Sequence, residues 1–92
     1  MDFEWDEDKA EINLANHGVS FDEAKEAFSD PNGVFDFDRD HSSPEERRYT
    51  LIGLSSRRLL FVVFTERGDR IRIIHARKAS NRMKRDYEAQ NA

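Results

Sequence analysis

The sequence of 92 residues contains no cysteine, which excludes disulfide bonds, zinc–thiolate sites and thiol catalysis. It has only two prolines and four glycines, and no linker, repeat or low-complexity segment is evident. No apolar run approaches the roughly 20 residues that cross a membrane, and the first residues do not resemble a signal peptide. We therefore expect a cytoplasmic protein that makes no membrane contact and folds as one domain over residues 1–92.

The net charge of −4 conceals a strong separation of charge along the chain. Residues 1–46 contain 15 acidic and 3 basic residues, whereas residues 47–92 contain 4 acidic and 12 basic residues. The two halves therefore carry net charges of −12 and +8. This polarity predicts a cationic functional surface in the second half, and phosphate is the first ligand it suggests. It is also compatible with two halves that pack together and neutralise each other.

The first half begins with a short strand and two helices. Asp6 is a candidate N-cap for a helix that ends at Gly18, with Ala10, Leu14 and His17 on one stripe. A capping box, Ser20-Phe21-Asp22-Glu23, begins the second helix. The stripe predicted to be buried on that helix consists of Phe21, Ala24, Ala27 and Phe28.

The middle of the chain is predicted to form a strand, a loop and a second strand. Val34-Phe35-Asp36-Phe37 has the pattern of a short strand, and residues 38–44 form a polar loop with little to hold it. The strand that follows, residues 47–54, is predicted to place Arg48, Thr50 and Ile52 on one face.

Residues 59–76 form the predicted central hairpin of the protein. Residues 59–64 have the apolar, β-branched composition of a strand buried on both faces, and Gly68 allows a tight turn. On the return strand, alternation places Ile71 and Ile73 on one face and Arg70, Arg72 and Ile74 on the other.

A last helix, capped by Ser80, completes the order β-α-α-β-β-β-β-α. The predicted fold class is therefore α+β, with two N-terminal helices, a mostly antiparallel sheet of four to five strands and a C-terminal helix. We expect the helices to cover one face of this sheet, and the basic last helix to extend the cationic surface of the hairpin.

Several blocks of the sequence carry a family resemblance. They are Phe3-x-Trp5-Asp6-x-x-Lys9, Asn13-x-x-x-His17-Gly18-Val19-Ser20-Phe21, Glu46-x-Arg48 before Gly53, Arg72-Ile73-Ile74-x-Ala76-Arg77-Lys78-Ala79, and Tyr87. Together and in this order they resemble the BrnT toxins, the ribonuclease half of type II BrnT–BrnA toxin–antitoxin systems. Two positions depart from the family pattern: many members have Ser or Thr in place of His75, and Glu in place of Met83.

The resemblance implies a RelE-like fold and an endoribonuclease that inhibits translation by cleaving RNA. It also implies a cognate BrnA-like antitoxin that neutralises the toxin, in a 2:2 heterotetramer that contacts operator DNA only through the antitoxin. Because relatives often lack His75, this departure bears on the proton-transfer groups of the site. The departure at Met83 removes one half of a capping box and weakens the helix start by about 1 kcal/mol.

Cleavage of RNA without a metal ion needs a base for the 2′-hydroxyl, cations for the phosphate and an acid for the departing 5′-oxygen. Arginine suits the second role because its fork matches phosphate oxygens, and imidazole suits proton transfer near neutral pH. The candidate catalytic residues are Lys9, His17, Glu46, Arg48, Arg72, His75 and Arg77. The candidate RNA-binding residues are Arg70, Lys78, Arg82, Lys84 and Arg85.

Most of these residues also have an ordinary structural interpretation. Glu46 can simply hold Arg48 in an ion pair, His17 can cap a helix end, Lys9 can be a solvated lysine, and Arg70 can pair with the acidic half. His41 lies in the polar loop and is the weakest candidate imidazole. The pattern does not assign the base and the acid to particular residues, and no metal-binding or cofactor-binding motif is present, so we expect neither.

Two other functions use the same basic face. One is a non-catalytic module that binds nucleic acid, and the other is a protein-interaction domain whose cations bind an acidic partner. Modules that read RNA bases usually display exposed aromatic side chains on strands, whereas Tyr49, Phe61 and Phe64 have the pattern of core residues. This pattern disfavours the module that only binds nucleic acid.

Overall fold

The computed structural model describes residues 1–92 as a five-stranded sheet with three helices and one 3-10 turn. The strands are β1 (Asp2–Glu4), β2 (Val34–Asp38), β3 (Arg48–Leu54), β4 (Leu59–Arg67) and β5 (Arg70–Lys78). The helices are α1 (Glu7–His17), α2 (Phe21–Ala27) and α3 (Asn81–Gln90), and the 3-10 turn is Arg39–His41. The predicted α+β class and element order are confirmed. No helix combines the length and the apolar character needed to cross a membrane.

The sheet has the strand order β1-β5-β4-β3-β2. Only β1 and β5 run parallel, so the prediction of a mostly antiparallel sheet is confirmed. β1 pairs with Arg70–Arg72 alone, which leaves the rest of β5 without a strand on that side. α1 contacts β5 and lies along this open part of its edge.

The core lies between α2 and one face of the sheet, which we call the inner face. Its sheet residues are Leu51, Leu60, Val62, Phe64, Ile73 and Ala76, and its helix-side residues are Val19, Phe21, Ala24 and Ala27. A Cβ on Gly53 would lie 2.7 Å from the carbonyl oxygen of Ala27, so glycine is required where α2 approaches β3. The predicted buried stripe of α2 is confirmed, with Phe28 partly buried beside it.

On the predicted stripe of α1, Leu14 is 51% exposed. Asn13 is the buried residue of this helix instead, at 6% exposure. The reason is that α1 lies on a strand edge, where backbone groups require hydrogen-bond partners, rather than on the apolar face.

α3 lies on the opposite, outer face of the sheet, so the expectation that all helices cover one face is wrong. Met83 and Asp86 of α3 line a pocket together with the outer-face residues Ile52 and Phe61. The reason is that β3 and β4 carry apolar side chains on both faces, and the outer ones also need cover. Phe61 is therefore not in the main core but partly buried on the outer face.

A β-bulge at Ile74 changes the alternation along β5. Val63 pairs with His75 and Phe64 pairs with Ile73, so Ile74 has no partner on β4. Alternate residues of β4 consequently face three side chains of β5. Thr65 lies opposite Arg72, Val63 lies opposite His75, and Phe61 lies opposite Arg77. These three side chains share the outer face, whereas an unbroken alternation would have placed His75 and Arg77 on the face opposite Arg72.

The acidic half is joined to the basic half through α2. Glu23, 7% exposed, receives hydrogen bonds from Arg58 Nε and Nη2 at 3.0 and 2.7 Å and from the Ser55 hydroxyl at 2.8 Å. The Ser20 hydroxyl accepts from the Glu23 N–H at 3.0 Å, so only this half of the predicted capping box forms. Part of the charge separation is therefore neutralised inside the fold.

The segment between β2 and β3 is held more firmly than predicted. The Ser42 hydroxyl donates to the Asp38 carbonyl oxygen at 2.6 Å and accepts from the Arg48 N–H at 2.8 Å. His41 Nδ1 lies 3.0 Å from the Asp38 carboxylate. The prediction of a loose loop failed because serine and aspartate side chains replace the missing backbone bonds.

Candidate active site

A pocket of about 180 Å³ lies between α1 and the edge of β5. It is lined by Lys9, Ile12, Asn13, Asn16, His17, Ile74 and His75. Three candidate catalytic residues, Lys9 and His17 of α1 and His75 of β5, therefore line one pocket, because α1 covers the part of β5 that β1 leaves open.

Asn13 fixes the position of α1 against β5. Its Nδ2 donates to the carbonyl oxygens of Ala76 and Val19 at 2.8 and 2.9 Å. Its Oδ1 accepts from the Ala76 N–H at 3.2 Å. The amide thus gives Ala76 both hydrogen bonds that a neighbouring strand would supply. Asn13 is not among the site residues predicted from the sequence, although its position four residues before His17 in a motif block was a signal.

His17 and His75 are in direct contact at this pocket. Their ring centroids are 4.8 Å apart and the ring planes meet at 80°, an edge-to-face arrangement. His17 is exposed at the C-terminal end of α1, and His75 is partly buried on β5. Burial, together with the positive charge of His17 and Arg77 nearby, lowers the pKa of His75 below its ordinary value of 6.5.

Arg77 shares the outer face with His75 and lies two residues further along β5. Its guanidinium carbon is 5.0 Å from the centre of the Phe61 ring, a cation–π contact. Arg77 takes part in none of the six ion pairs of the protein. The arrangement therefore holds a free guanidinium in place beside an imidazole.

Arg72 and Arg48 are both paired with acidic side chains. Arg72 Nη1 lies 2.8 Å from Glu4 Oε2, its register partner on β1. Arg48 Nε donates to Glu46 Oε1 at 2.9 Å, which matches the ion-pair interpretation of Glu46. Both arginines are partly exposed and lie on either side of Thr65 in one row across the outer face. They remain open to an added anion, since each carboxylate occupies only part of the guanidinium fork.

The other predicted cations do not form one surface. Arg70 is exposed beside the β4–β5 turn, while Lys78 and Lys84 line a small pocket with Arg58. Each residue of a helix is rotated by about 100° from the one before it, so Arg82 and Lys84 project about 160° apart around the α3 axis. α3 presents Met83 and Asp86 to the sheet rather than its cations, so the expected continuous basic surface is divided.

The structure separates His41 from the other two imidazoles. His41 is bound to Asp38 at the end of β2, the opposite edge of the sheet from α1. No group of three or more His, Asp or Glu side chains is arranged to hold a metal ion. The site that the fold assembles therefore consists of two imidazoles, a lysine and one free arginine, with two paired arginines on the same sheet face.

A comparison with protein families gives one match for this chain. The model described as "Ribonuclease toxin, BrnT, of type II toxin-antitoxin system" matches residues 5–82. The matched region includes all seven candidate catalytic residues and ends at Arg82, before Lys84 and Arg85. A search of curated proteins finds no match.

Proposed function

The chain belongs to the BrnT family of ribonuclease toxins of type II toxin–antitoxin systems, and on that premise we propose that it is a metal-independent endoribonuclease whose site surrounds His75. The observation that carries this proposal is the contact between His17 and His75, with the unpaired Arg77 beside it. Residues 1–92 form one toxin domain in this proposal, because α1 and β5 line the pocket and α3 packs on the outer face of the same sheet.

His75 is the general base in this proposal. Its lowered pKa keeps the imidazole neutral at pH 7, so it can accept the proton of an RNA 2′-hydroxyl. The 2′-oxygen then attacks the adjacent phosphorus and the bond from phosphorus to the 5′-oxygen breaks. The products are a 2′,3′-cyclic phosphate and a 5′-hydroxyl, and no metal-bound water is consumed.

His17 is the general acid, and Arg77 stabilises the charge on the phosphate. His17 touches the His75 ring and is open to solvent, so it can give a proton to the departing 5′-oxygen. Arg77 is free to contact two phosphate oxygens at once. Lys9 lines the same pocket and contacts a neighbouring phosphate. Two imidazoles and two cations are enough for a cleavage that uses the 2′-hydroxyl of RNA itself.

The paired arginines extend the phosphate-binding surface. Glu4 and Glu46 orient Arg72 and Arg48, which then bind the phosphates that flank the cleaved bond. The exposed cations bind more distant parts of the RNA; they are Arg70, Lys78, Arg82, Lys84 and Arg85. Cleavage of messenger RNA by this site would inhibit translation.

The family also implies a protein antitoxin, and we propose how it neutralises the site. An acidic segment of the antitoxin covers Arg72, Arg77, Lys78 and Arg82 and excludes RNA from the pocket. The complex is a 2:2 heterotetramer that binds operator DNA through the antitoxin alone. Light scattering on the co-expressed pair tests the stoichiometry, and a toxin that stays active with an equimolar antitoxin contradicts the model.

The central experiment incubates the purified chain with a single-stranded RNA oligonucleotide, with and without EDTA. We expect cleavage in both, with 2′,3′-cyclic phosphate ends identified by mass spectrometry. The variant His75→Asn should lose the activity, whereas His41→Asn, at the other edge of the sheet, should keep it. RNA binding without cleavage would support the non-catalytic nucleic-acid module, and the absence of both would support a protein-interaction domain.

A further inference from the structure

The edge strand β2 exposes two aromatic rings that the ribonuclease site does not use. Phe35 is 57% exposed and Phe37 is 44% exposed, although both lie on the inner face opposite Leu51 and Tyr49. α2 does not extend far enough to cover them. Their rings are nevertheless held in place, since Phe35 packs edge-on against Phe64 at 6.0 Å and Phe37 lies 5.6 Å from Tyr49.

The backbone of β2 is open on its outer side. β2 is the last strand of the sheet, so no strand pairs with that edge. The N–H of Phe37 donates to the Asp36 carboxylate at 2.8 Å and not to β3. Because antiparallel ladders alternate, the backbone groups of Phe35 also point to this open edge.

Acidic side chains alternate with the two rings. Asp36 is exposed on the outer face, and Asp38 follows at the end of the strand, where His41 is its partner. The edge therefore presents three features together: backbone groups that no strand pairs with, apolar rings on one face and carboxylates on the other. Charge on an edge strand ordinarily prevents unwanted pairing, which makes the choice of a permitted partner selective.

We propose that the β2 edge binds an extended segment of a partner protein in which apolar residues alternate with basic residues. The segment adds a sixth strand to the sheet. Its apolar side chains cover Phe35 and Phe37, and its lysines or arginines lie opposite Asp36 and Asp38. This interaction surface goes beyond the proposed function and does not depend on it, since no residue of the RNA pocket contributes to it.

The charges on β2 disfavour two other occupants. A second copy of the chain, paired antiparallel along all of Val34–Asp38, would place Asp36 directly opposite Asp36, and such like-charge pairs are destabilising. RNA stacked on the two rings would bring phosphates close to the same carboxylates. Only a basic strand satisfies the backbone, the rings and the carboxylates at once.

The C-terminus offers a direct test of the proposal. Asn91 Nδ2 donates to the carbonyl oxygen of Asn32 at 3.1 Å, so the chain ends beside the start of β2. A segment of alternating valine and lysine can therefore be fused after Ala92 through a Gly/Ser linker of about ten residues, which supplies a high local concentration. The matched control carries alternating valine and glutamate.

The test measures the amide hydrogen-exchange rates of residues 35 and 37 by NMR. We expect the valine–lysine fusion to slow exchange at both positions about tenfold or more, and the valine–glutamate fusion to leave it unchanged. The double variant Phe35→Ser/Phe37→Ser should abolish the protection. RNA cleavage should be unaffected by this double variant, which separates the proposal from the ribonuclease function.

Four results would overturn the proposal. The first is equal protection by both fusions, and the second is no protection by either. The third is a dimer of the unfused chain in light scattering that the double variant dissociates, which identifies a second copy as the occupant. The fourth is a loss of RNA affinity of tenfold or more in the double variant, where each factor of ten corresponds to about 1.4 kcal/mol. That result would identify Phe35 and Phe37 as a stacking platform for RNA.

Discussion

The side-chain amide of Asn13 bonds to both the N–H and the C=O of Ala76, the residue that follows His75 on β5. This pair closes the strand edge that β1 leaves open, and it sets the distance between α1 and β5. The contact between His17 and His75 depends on the same two elements. One buried asparagine thus links the stability of the fold to the geometry of the candidate site.

Replacing Asn13 with alanine should destabilise the protein by roughly 3 kcal/mol. The substitution leaves the N–H and C=O of Ala76 and the C=O of Val19 without these buried partners, and each such loss is costly. Urea denaturation measures the change in the free energy of unfolding. Asn16→Ala, an exposed position on the same helix, should change it by about 0.5 kcal/mol or less. Equal stabilities for the two variants would contradict the role given to Asn13.

Removing Arg77 should lower RNA cleavage by roughly 10²–10³ while the protein stays folded. Arg77 makes no ion pair that its loss would break, and its contact with Phe61 is on the outer face. Single-turnover cleavage by Arg77→Ala measures the effect, with Arg39→Ala, in the exposed 3-10 turn, as the control. Unchanged cleavage by both Arg77→Ala and Arg72→Ala would remove these arginines from the mechanism.

The protonation of His75 should respond to His17. Burial is the main cause of the lowered pKa of His75, and the charge of His17 adds to it. His17→Asn should therefore raise the pKa of His75, as read from its ring proton in an NMR titration, and His41→Asn should not. If His17→Asn leaves the titration of His75 unchanged, the two rings are not electrostatically coupled.

The same shift makes stability depend on pH. The pKa of His75 is lower in the folded state than its ordinary 6.5. At pH values between the folded-state pKa and 6.5, the unfolded chain therefore binds more protons than the folded protein. This contribution to stability is complete above pH 6.5 and is lost as the pH falls through the folded-state pKa. The variant His75→Asn should show a flatter dependence of the free energy of unfolding on pH in that window.

The ion pair of the buried Glu23 with the half-buried Arg58 should contribute to stability rather than to cleavage. Glu23→Gln keeps the shape of the side chain but removes its charge, and we expect a loss of about 2 kcal/mol from weaker hydrogen bonds to Arg58 and Ser55. Asp22→Asn, the exposed neighbour, is the matched control with little effect. A destabilisation as large in the control would point to a general effect of charge on α2.

RNA binding should weaken as salt is added. For single-stranded RNA we expect a log–log slope of about −0.7 for each phosphate that the cations of residues 47–92 neutralise. Fluorescence anisotropy with a labelled oligonucleotide measures the slope. A slope near zero would indicate that the basic residues serve a protein partner instead.

The sequence alone determined the elements of the fold. The caps at Asp6, Ser20 and Ser80 form as predicted, since each side chain bonds to a backbone N–H three residues further on. Capping and strand alternation are local properties, so they can be inferred from neighbouring residues. The family resemblance was also evident in the sequence, because it rests on motif blocks whose order does not depend on how they pack.

The tertiary structure decided which of these residues meet. The bulge at Ile74 turns His75 and Arg77 to the face of Arg72, and a single unpaired residue in a ladder cannot be identified from alternation. The pairings of Arg72 with Glu4 and of His75 with His17 join distant parts of the chain. They exist because β1 pairs with only three residues of β5 and α1 covers the remainder, and contacts of this kind depend on packing between elements rather than on local preference.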